Sequence, residues 1–298
     1  MFKGDVLEVK KRDIDLSEYT KRSAFEGDYE TLIRKDTLIK IDGKPAILYM
    51  KLNDWDFEPL RNCLMGIKYD STTRSSGLKT TSRVFGYQPR IPMRRDFCTK
   101  TSLAHDTPEK NALVCEYGHQ IVPLYRQAFP EIFEEHNAWV EEKVLSEWKI
   151  NQTPFTSGII NKNNPLKYHF DAGNIKDVCS CMLAMKRSSG GGYLSFPELG
   201  LGFEIADKSL TIFDGQSLLH GVTPIRKLSE NAHRYTIVYY TLHQMWKCEP
   251  LTEEIARIRK VKTQRELRRT SLAGSGELPT EAELHVTQHG VEEGKSEE

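Results

Sequence analysis

The segment from Pro154 to Leu242 constrains the fold most, because it consists of short apolar or alternating runs separated by turn-forming residues. Period-two alternation and β-prone runs of four to eight residues, bounded by Gly, Asn and Pro, are typical of strands. The runs are FTSGII, KYHF, VCSCMLAM, GYLSF, GFEI, LTIFDG, SLLHGV and RYTIVYYTL. Seven or eight such strands within about 100 residues predict a β-sandwich or a jelly roll.

Helices and a hairpin precede this segment. Residues 28–53 predict two strands, joined by a turn at Asp42 and Gly43. Residues 66–100 are polar and predict a loop, whereas apolar residues recur at helical spacing from Pro108 to about Phe129, and Pro130 suits the first turn of a second helix. The predicted fold class is α+β, a double-stranded β-helix (jelly roll) core with supporting helices on one face. The predicted units are an N-terminal α/β extension with a basic loop (1–105), helical support with the β-helix core (106–248), a basic helix (249–269) and a disordered acidic tail (270–298).

Composition indicates an ordinary globular protein. Charged residues make up 28% and hydrophobic residues 38% of the 298 residues, as in soluble domains. No apolar run approaches the ~20 residues that span a bilayer, and the N-terminus lacks the apolar core of a signal peptide. The six cysteines are scattered, so we expect reduced thiols in a soluble, monomeric intracellular protein, either in a bacterial or phage-infected cytoplasm or in a nucleus.

The net charge of zero hides an asymmetry. Residues 270–298 carry seven acids and one base, which gives this tail a charge of −6 and leaves +6 on the remainder. A mildly basic body is compatible with an anionic partner.

His169 and Asp171 form a His-x-Asp motif in one predicted strand, and His220 follows 51 residues after His169 in another. Alternate residues of a strand share a face, so His169 and Asp171 can grip one ion together. Two histidines and a carboxylate on one face of Fe(II) leave positions open for a cosubstrate and dioxygen. The alternative is a solvated strand edge with a buried, hydrogen-bonded His220. A zinc site is disfavoured, because no third histidine or cysteine has suitable spacing.

Arg234 and Thr236 begin the last predicted strand, fourteen and sixteen residues after His220, and point to the same face. A guanidinium pairs with a carboxylate in bidentate geometry. The two side chains are therefore candidates to hold the far carboxylate of 2-oxoglutarate, while its keto-acid end chelates the iron.

These motifs together resemble the TET/JBP family of Fe(II)/2-oxoglutarate nucleobase dioxygenases. The family motif H-x-D-x-x-N is similar to residues 169–174, HFDAGN, and PFTSGII at 154–160 is similar to the family's preceding strand. The resemblance implies iron ligation by His169, Asp171 and His220. It also implies cosubstrate binding by Arg234 and contact between Asn174 and the base. The chain resembles the compact phage, protist and fungal members, because it lacks the cysteine-rich module and the low-complexity insert of the animal enzymes.

The resemblance implies a flipped nucleotide, and contacts to DNA must offset the free-energy cost of flipping it. Basic and aromatic residues interleave in SRVFGYQPRIPMRRDF at 82–97, which suits phosphate contact and base stacking, and Arg90 is the best match to a family arginine that reaches cosubstrate and base. The basic helix at 252–269 is a second candidate for phosphate contact. For both stretches, a solvated basic surface is the alternative.

The predicted function is hydroxylation of the 5-methyl group of 5-methylcytosine in DNA, with Fe(II) and 2-oxoglutarate as cofactors and ascorbate as a reductant in vitro. Thymine in DNA is the alternative substrate within the family. Two further alternatives are an Fe(II)/2-oxoglutarate hydroxylase of a protein or small molecule, and a non-enzymatic DNA-binding protein built on the same fold.

Overall fold

The structure is a computed structural model that describes residues 2–20, 22–73, 79–91, 95–150 and 152–275. The strands are β1 Asp5–Val9, β2 Thr31–Ile33, β3 Thr37–Ile41, β4 Lys44–Lys51, β5 Asp70–Thr73, β6 Lys79–Gln88, β7 Thr99–Lys100, β8 Ser157–Lys162, β9 Leu166–His169, β10 Ser180–Arg187, β11 Ser189–Gly191, β12 Leu194–Phe196, β13 Leu201–Phe203, β14 Ser209–Phe213, β15 His220–Val222, β16 Ile225–Lys227 and β17 His233–Tyr240. The α-helices are α1 Glu58–Met65, α2 Ser102–Asp106, α3 Pro108–Ala128, α4 Pro130–Lys143 and α5 Leu251–Ser275. The 3₁₀ helices are Leu16–Glu18, Glu26–Asp28, Ser146–Trp148, Pro197–Leu199 and His243–Lys247.

Across the described residues, the strands form two large sheets and a two-stranded ribbon. The larger sheet runs β1-β3-β4-β14-β10-β17-β8-β6-β5, with β7 paired to β6. The smaller sheet runs β2-β13-β12-β15-β9, and β11 pairs with β16. The two sheets pack face to face, because one buried cluster joins Met182 and Phe213 of the larger sheet to Phe196 and Phe203 of the smaller one. This architecture confirms the predicted α+β class with a jelly-roll core.

The helices cover the other face of the larger sheet. Residues at helical spacing on α3, among them Val114, Tyr117 and Ile121, share a second buried cluster with Ile237 and Tyr239 of β17. The Tyr239 hydroxyl donates to the Val114 carbonyl at 2.7 Å. Gly118 permits this close approach, because a Cβ there would lie 2.6 Å from Tyr239 Cε1.

The N-terminal strands extend both sheets. The predicted hairpin is confirmed: β3 and β4 pair around Asp42 and Gly43, whose φ angles of 50° and 76° fit a tight hairpin turn. Strand β4 also pairs with β14, and β2 pairs with β13. The N-terminal residues therefore share sheets with the core, and the boundary expected at residue 105 stays a prediction.

Three expectations differ from the structure. Residues 66–100 are not a loop throughout, because they contain β5, β6 and β7, and β6 pairs with β8 within the larger sheet. The last helix continues to Ser275 rather than ending at residue 269, and residues 276–298 of the expected disordered tail lie outside the described residues. Cys98 and Cys248 are joined by a disulfide, so they are not reduced thiols; Cys63, Cys115, Cys179 and Cys181 are free.

None of the described helices combines the length and the apolar character that crossing a membrane requires.

Candidate active site

The three predicted metal ligands lie together. His169 ends β9 and His220 begins β15, and the two residues are directly paired in the ladder between these strands. His169 Nε2 lies 3.5 Å and His220 Nε2 lies 3.9 Å from Asp171 Oδ1. Ligand atoms of all three side chains lie within 4.8 Å of one another, as a single ion requires. Within the part of the chain that the structure describes, this is the group of His, Cys, Asp and Glu side chains placed to hold a metal.

Backbone carbonyls fix the orientation of both imidazoles. His169 Nδ1 lies 2.8 Å from the Lys167 carbonyl oxygen, and His220 Nδ1 lies 2.9 Å from the Leu218 carbonyl oxygen. A carbonyl only accepts, so each Nδ1 carries the proton and each Nε2 presents a lone pair. Metal-bound histidines are commonly held in this way.

Burial keeps His220 in its ligand form. Its side chain is 6% exposed, and desolvation lowers the pKa of the imidazole to about 4, with neighbouring His169 acting in the same direction. The ring also packs against Phe196 and Phe213, with centroids 6.2 and 5.0 Å away. His220 is therefore neutral at physiological pH, as a metal ligand must be.

Gly215 is a residue of the site that the motif search missed. Its carbonyl accepts from the Asp171 backbone N–H at 2.9 Å. A Cβ at this position would lie 2.3 Å from Asp171 Oδ2 and 3.3 Å from His220 Cε1. The Asp-Gly pair at the end of LTIFDG was a signal for a close backbone approach beyond a strand.

The donor set fits Fe(II). Two imidazole nitrogens and one carboxylate oxygen on one side of a shared point form the arrangement that binds non-haem Fe(II) and keeps further positions open. The free cysteines are not part of it, because His169, Asp171 and His220 alone make up the group.

Arg234 lies in the barrel with part of its guanidinium unpaired. Its side chain is 1% exposed, and neither Nε nor Nη2 has a hydrogen-bond partner among the described residues. Burial lowers the pKa of the guanidinium to about 10. A buried cation without a counter-ion is unfavourable, so Arg234 is a candidate to bind an anion.

A glycine backbone lies close to this guanidinium, and a hydroxyl follows on the same face of the strand. Gly192 lies beside it, since a Cβ at Gly192 would stand 3.1 Å from Arg234 Nε. Thr236, 4% exposed, follows on the same face of β17. A carboxylate fits this combination of a fork-shaped donor and a hydroxyl.

Asn174 lies next to the candidate metal ligands, and its contact with a base stays a prediction. Its backbone N–H donates to the Asp171 carbonyl at 3.0 Å. Its side-chain Nδ2 donates to Ser180 Oγ at 3.2 Å and stands 3.5 Å from Asp171 Oδ2. The residue forms a bridge with Leu242, just after β17. Asn174 is therefore held at the rim of the site by both of its neighbouring segments.

The structure does not bring Arg90 to this group. Arg90 Nη2 lies 2.7 Å from Glu249 Oε2 and 2.6 Å from Glu254 Oε1. Glu254 is fully buried, and its other oxygen accepts from the Cys98 backbone N–H at 2.8 Å. These contacts support a structural role for Arg90 at the N-terminal end of α5. Contact of Arg90 with cosubstrate or base stays a prediction.

The basic and aromatic stretch around Arg90 is largely engaged within the protein. Phe85 is fully buried in the helix-facing core and so is not free to stack on a base, and Tyr87 packs edge-on against Trp148 with ring centroids 5.5 Å apart. Arg83 pairs with Asp70 and Asp106. Arg74 and Arg94 lie outside the described residues.

Comparisons with known proteins identify a family for this region. Residues 86–243 match Tet_JBP, the oxygenase domain of the 2OGFeDO superfamily. Thymine dioxygenase JBP1 of Leishmania tarentolae is 26% identical over 167 residues, which cover 55% of this chain and 20% of that protein. This chain thus spans a fifth of the length of that relative.

Two solved structures align with this chain. NgTET1 in complex with 5mC DNA aligns with a TM-score of 0.57 and 14% identity, over 86% of this chain and 90% of that one. A 2OG-Fe(II) oxygenase family oxidoreductase from Burkholderia pseudomallei aligns with a TM-score of 0.46 and 12% identity, over 67% and 86%. The family match covers more than half of the chain and includes all three metal-site residues, so this protein belongs to the Tet_JBP family of 2OGFeDO oxygenase domains.

Proposed function

We propose that this protein is an Fe(II)/2-oxoglutarate-dependent dioxygenase that hydroxylates the 5-methyl group of 5-methylcytosine in DNA. The observation that carries the proposal is the pairing of the His169, Asp171 and His220 centre with a buried, partly unpaired Arg234. A metal site for binding alone would not require a second buried cation. The group of His169, Asp171 and His220 and the guanidinium of Arg234 together suit a metal ion and a dicarboxylate bound side by side.

The protein would position the reacting groups, and bound Fe(II) and 2-oxoglutarate would carry out the oxidation. When bound, Fe(II) and 2-oxoglutarate provide the activation of dioxygen, with succinate and CO2 as co-products. His169 and His220 would hold the metal through Nε2, and Asp171 through its carboxylate. Arg234 and Thr236 would fix the far carboxylate of 2-oxoglutarate. The rings of Phe196 and Phe213 against His220 keep water away from this side of the centre.

Asn174 supports a nucleobase as the substrate. A carboxamide both donates and accepts, which matches the polar edge of a pyrimidine. The side chain lies beside Asp171, so a base paired with it would lie near the proposed metal ligands. A base inside a duplex cannot reach this position, so the nucleotide must be flipped.

Basic residues on α5 support DNA as the partner. Arg259, Lys260 and Lys262 are exposed on this helix. Phosphate contacts of such side chains supply sequence-independent affinity that falls with salt.

Thymine in DNA is the second candidate substrate. The relative with 26% identity over 167 residues is a thymine dioxygenase, whereas the similar solved structure of NgTET1 contains 5mC DNA. Both bases carry a 5-methyl group, so the same centre can serve either.

The test is mass spectrometry of nucleosides after incubation with Fe(II), 2-oxoglutarate and ascorbate. One DNA carries 5-methylcytosine and a matched DNA carries only unmodified bases, with His169→Ala as the control. We expect 5-hydroxymethylcytosine from the first DNA, lost in the variant. 5-Hydroxymethyluracil from either DNA would show that the substrate is thymine rather than 5-methylcytosine. Succinate without any oxidised base would refute DNA as the substrate and leave the oxygenase centre in place.

A further inference from the structure

Trp246 is an exposed aromatic side chain beside the iron-site loop. It is 48% exposed and belongs to the 3₁₀ helix His243–Lys247, which follows β17. This helix is attached to the loop that carries Asp171 and Asn174. The His243 backbone N–H donates to the Gly173 carbonyl at 3.1 Å, and Leu242 forms the bridge with Asn174.

The helix holds Trp246 at a defined place. Residues three apart in a 3₁₀ helix lie above one another with a rise of ~2 Å per residue. Trp246 therefore lies on the same face as His243 and about 6 Å further along the axis. Met245 between them is fully buried in a cluster with Ile175, which fixes the helix to the body. The disulfide at Cys248 anchors its other end.

The surroundings of Trp246 suit an aromatic, anionic ligand. Lys247 Nζ lies 5.5 Å from the centre of the Trp246 ring. His243 adds a second ring on this surface and itself packs against Trp139, with centroids 6.0 Å apart. One exposed apolar side chain needs no explanation by itself. An exposed indole with an adjacent ammonium group, one helical turn from an active-site loop, matches the combination that binds nucleic acid.

We propose that Trp246 is a stacking platform for a base of the DNA near the target nucleotide, with Lys247 contacting the adjoining phosphate. This inference rests on the proposed function. Successive bases of a B-form strand are about 3.4 Å apart along the axis. Trp246 lies about 6 Å along the helix axis from His243, whose backbone is hydrogen-bonded to the loop of Asp171 and Asn174, and this offset is comparable to two base steps. Stacking there compensates for the stacking lost when the target base is flipped.

Four variants test the platform: Trp246→Ala, Trp246→Phe, Lys247→Gln and, as a control, Val6→Ala. Val6 is 59% exposed on β1, at the edge of the larger sheet, so its truncation removes exposed apolar surface far along the sheet from β17. The affinity of each purified full chain is measured with a fluorescein-labelled duplex that contains one 5-methylcytosine, at several salt concentrations. The quenching of tryptophan fluorescence by the same duplex without the label is recorded in parallel.

We expect Trp246→Ala to bind the duplex about tenfold or more weakly, within the range for loss of one base–aromatic stack. Trp246→Phe keeps a ring and should recover most of that affinity. Lys247→Gln should lower the slope of log affinity against log salt by about 1. Val6→Ala should match the wild type, and the fluorescence quenching should decrease in Trp246→Ala.

Each other outcome is decisive. Equal affinity of wild type and Trp246→Ala overturns the platform, and so does a wild type that does not bind the duplex. A Trp246→Ala variant that differs only in oligomeric state on gel filtration also overturns it, because Trp246 would then contact a second copy. Binding that depends on Trp246, without oxidation of any base, would support the platform and refute the proposed function.

Discussion

Gly215→Ala should disable the metal centre without unfolding the protein. The added Cβ would lie 2.3 Å from Asp171 Oδ2 and 3.0 Å from Asp171 Cγ. Ordinary contacts of a Cβ begin at about 3.4 Å, so the carboxylate must withdraw by about 1 Å. The Asp171 backbone is held to the Gly215 carbonyl by a hydrogen bond, so the side chain rather than the chain must move.

The size of the effect follows from that displacement. Sites of this kind require their groups within about 0.5 Å of the productive geometry, and a loss of ligand positioning typically lowers metal affinity 10- to 100-fold. We expect a loss in this range, which corresponds to about 1.4 to 2.8 kcal/mol. The Asp171 side chain is 27% exposed, so it can swing towards solvent, and the metal-free protein should unfold near the wild-type temperature.

The assay is calorimetric titration of metal-free protein with Mn(II), together with thermal unfolding in the absence of metal. Gly27→Ala is the matched control, because a Cβ at Gly27 meets no atom within 4 Å. Wild-type metal affinity in Gly215→Ala would refute the assignment of Asp171 as a ligand held in place by Gly215. A large drop in unfolding temperature would instead show that the clash spreads into the fold.

Three further perturbations have worked-out signs. Arg234→Met removes a buried, partly unpaired cation, so the free protein should be at least as stable as wild type while 2-oxoglutarate no longer raises its unfolding temperature. His136 is buried, and desolvation lowers the pKa of its imidazole to about 3. As the pH falls, His136 is therefore protonated first in the unfolded chain, and the free energy of unfolding decreases below about pH 6.5 by roughly 1.4 kcal/mol per pH unit. Between pH 7 and pH 5, urea unfolding of His136→Gln should show a smaller decrease than urea unfolding of the wild type. Glu254→Gln places an amide N–H against a donor, either Arg90 or the Cys98 N–H, and should cost about 2 to 4 kcal/mol in urea unfolding. The Michaelis constant for 2-oxoglutarate should not change in that variant, whereas an increase would favour the predicted contact of Arg90 with the cosubstrate.

The approach of His169, Asp171 and His220 could be predicted because the physics is local. The expectation that His169 and Asp171 share one strand is wrong, because β9 ends at His169 and Asp171 lies two residues beyond it. The short spacing nevertheless keeps the two side chains together, and the β9–β15 ladder needs only that two short strands pair. The same reasoning missed β6, in which Thr80 and Ser82 are buried although they are polar. A strand with polar residues facing inward lacks the apolar alternation on which its recognition depends.

The contacts at the N-terminal end of α5 could not be predicted from the sequence, because they join distant parts of the chain. The Arg90–Glu254 pair spans 164 residues and the Cys98–Cys248 disulfide spans 150. Nothing in the local sequence distinguishes these two cysteines from the four free ones. A basic loop therefore suggested a ligand surface, whereas the folded chain uses Arg90 to neutralise a buried carboxylate.

The two parts of the proposed site, the metal ligands and the arginine for the far carboxylate, come from different sheets. His169 and His220 belong to the smaller sheet, and Arg234 belongs to the larger one. The metal and the far carboxylate of the proposed cosubstrate would thus be held by different layers, and the distance between them is set by the side chains packed between the sheets. Phe196 and Phe213 belong to that packing and also contact the His220 ring. The core that stabilises the jelly roll would therefore also set the spacing between the proposed metal and the guanidinium of Arg234.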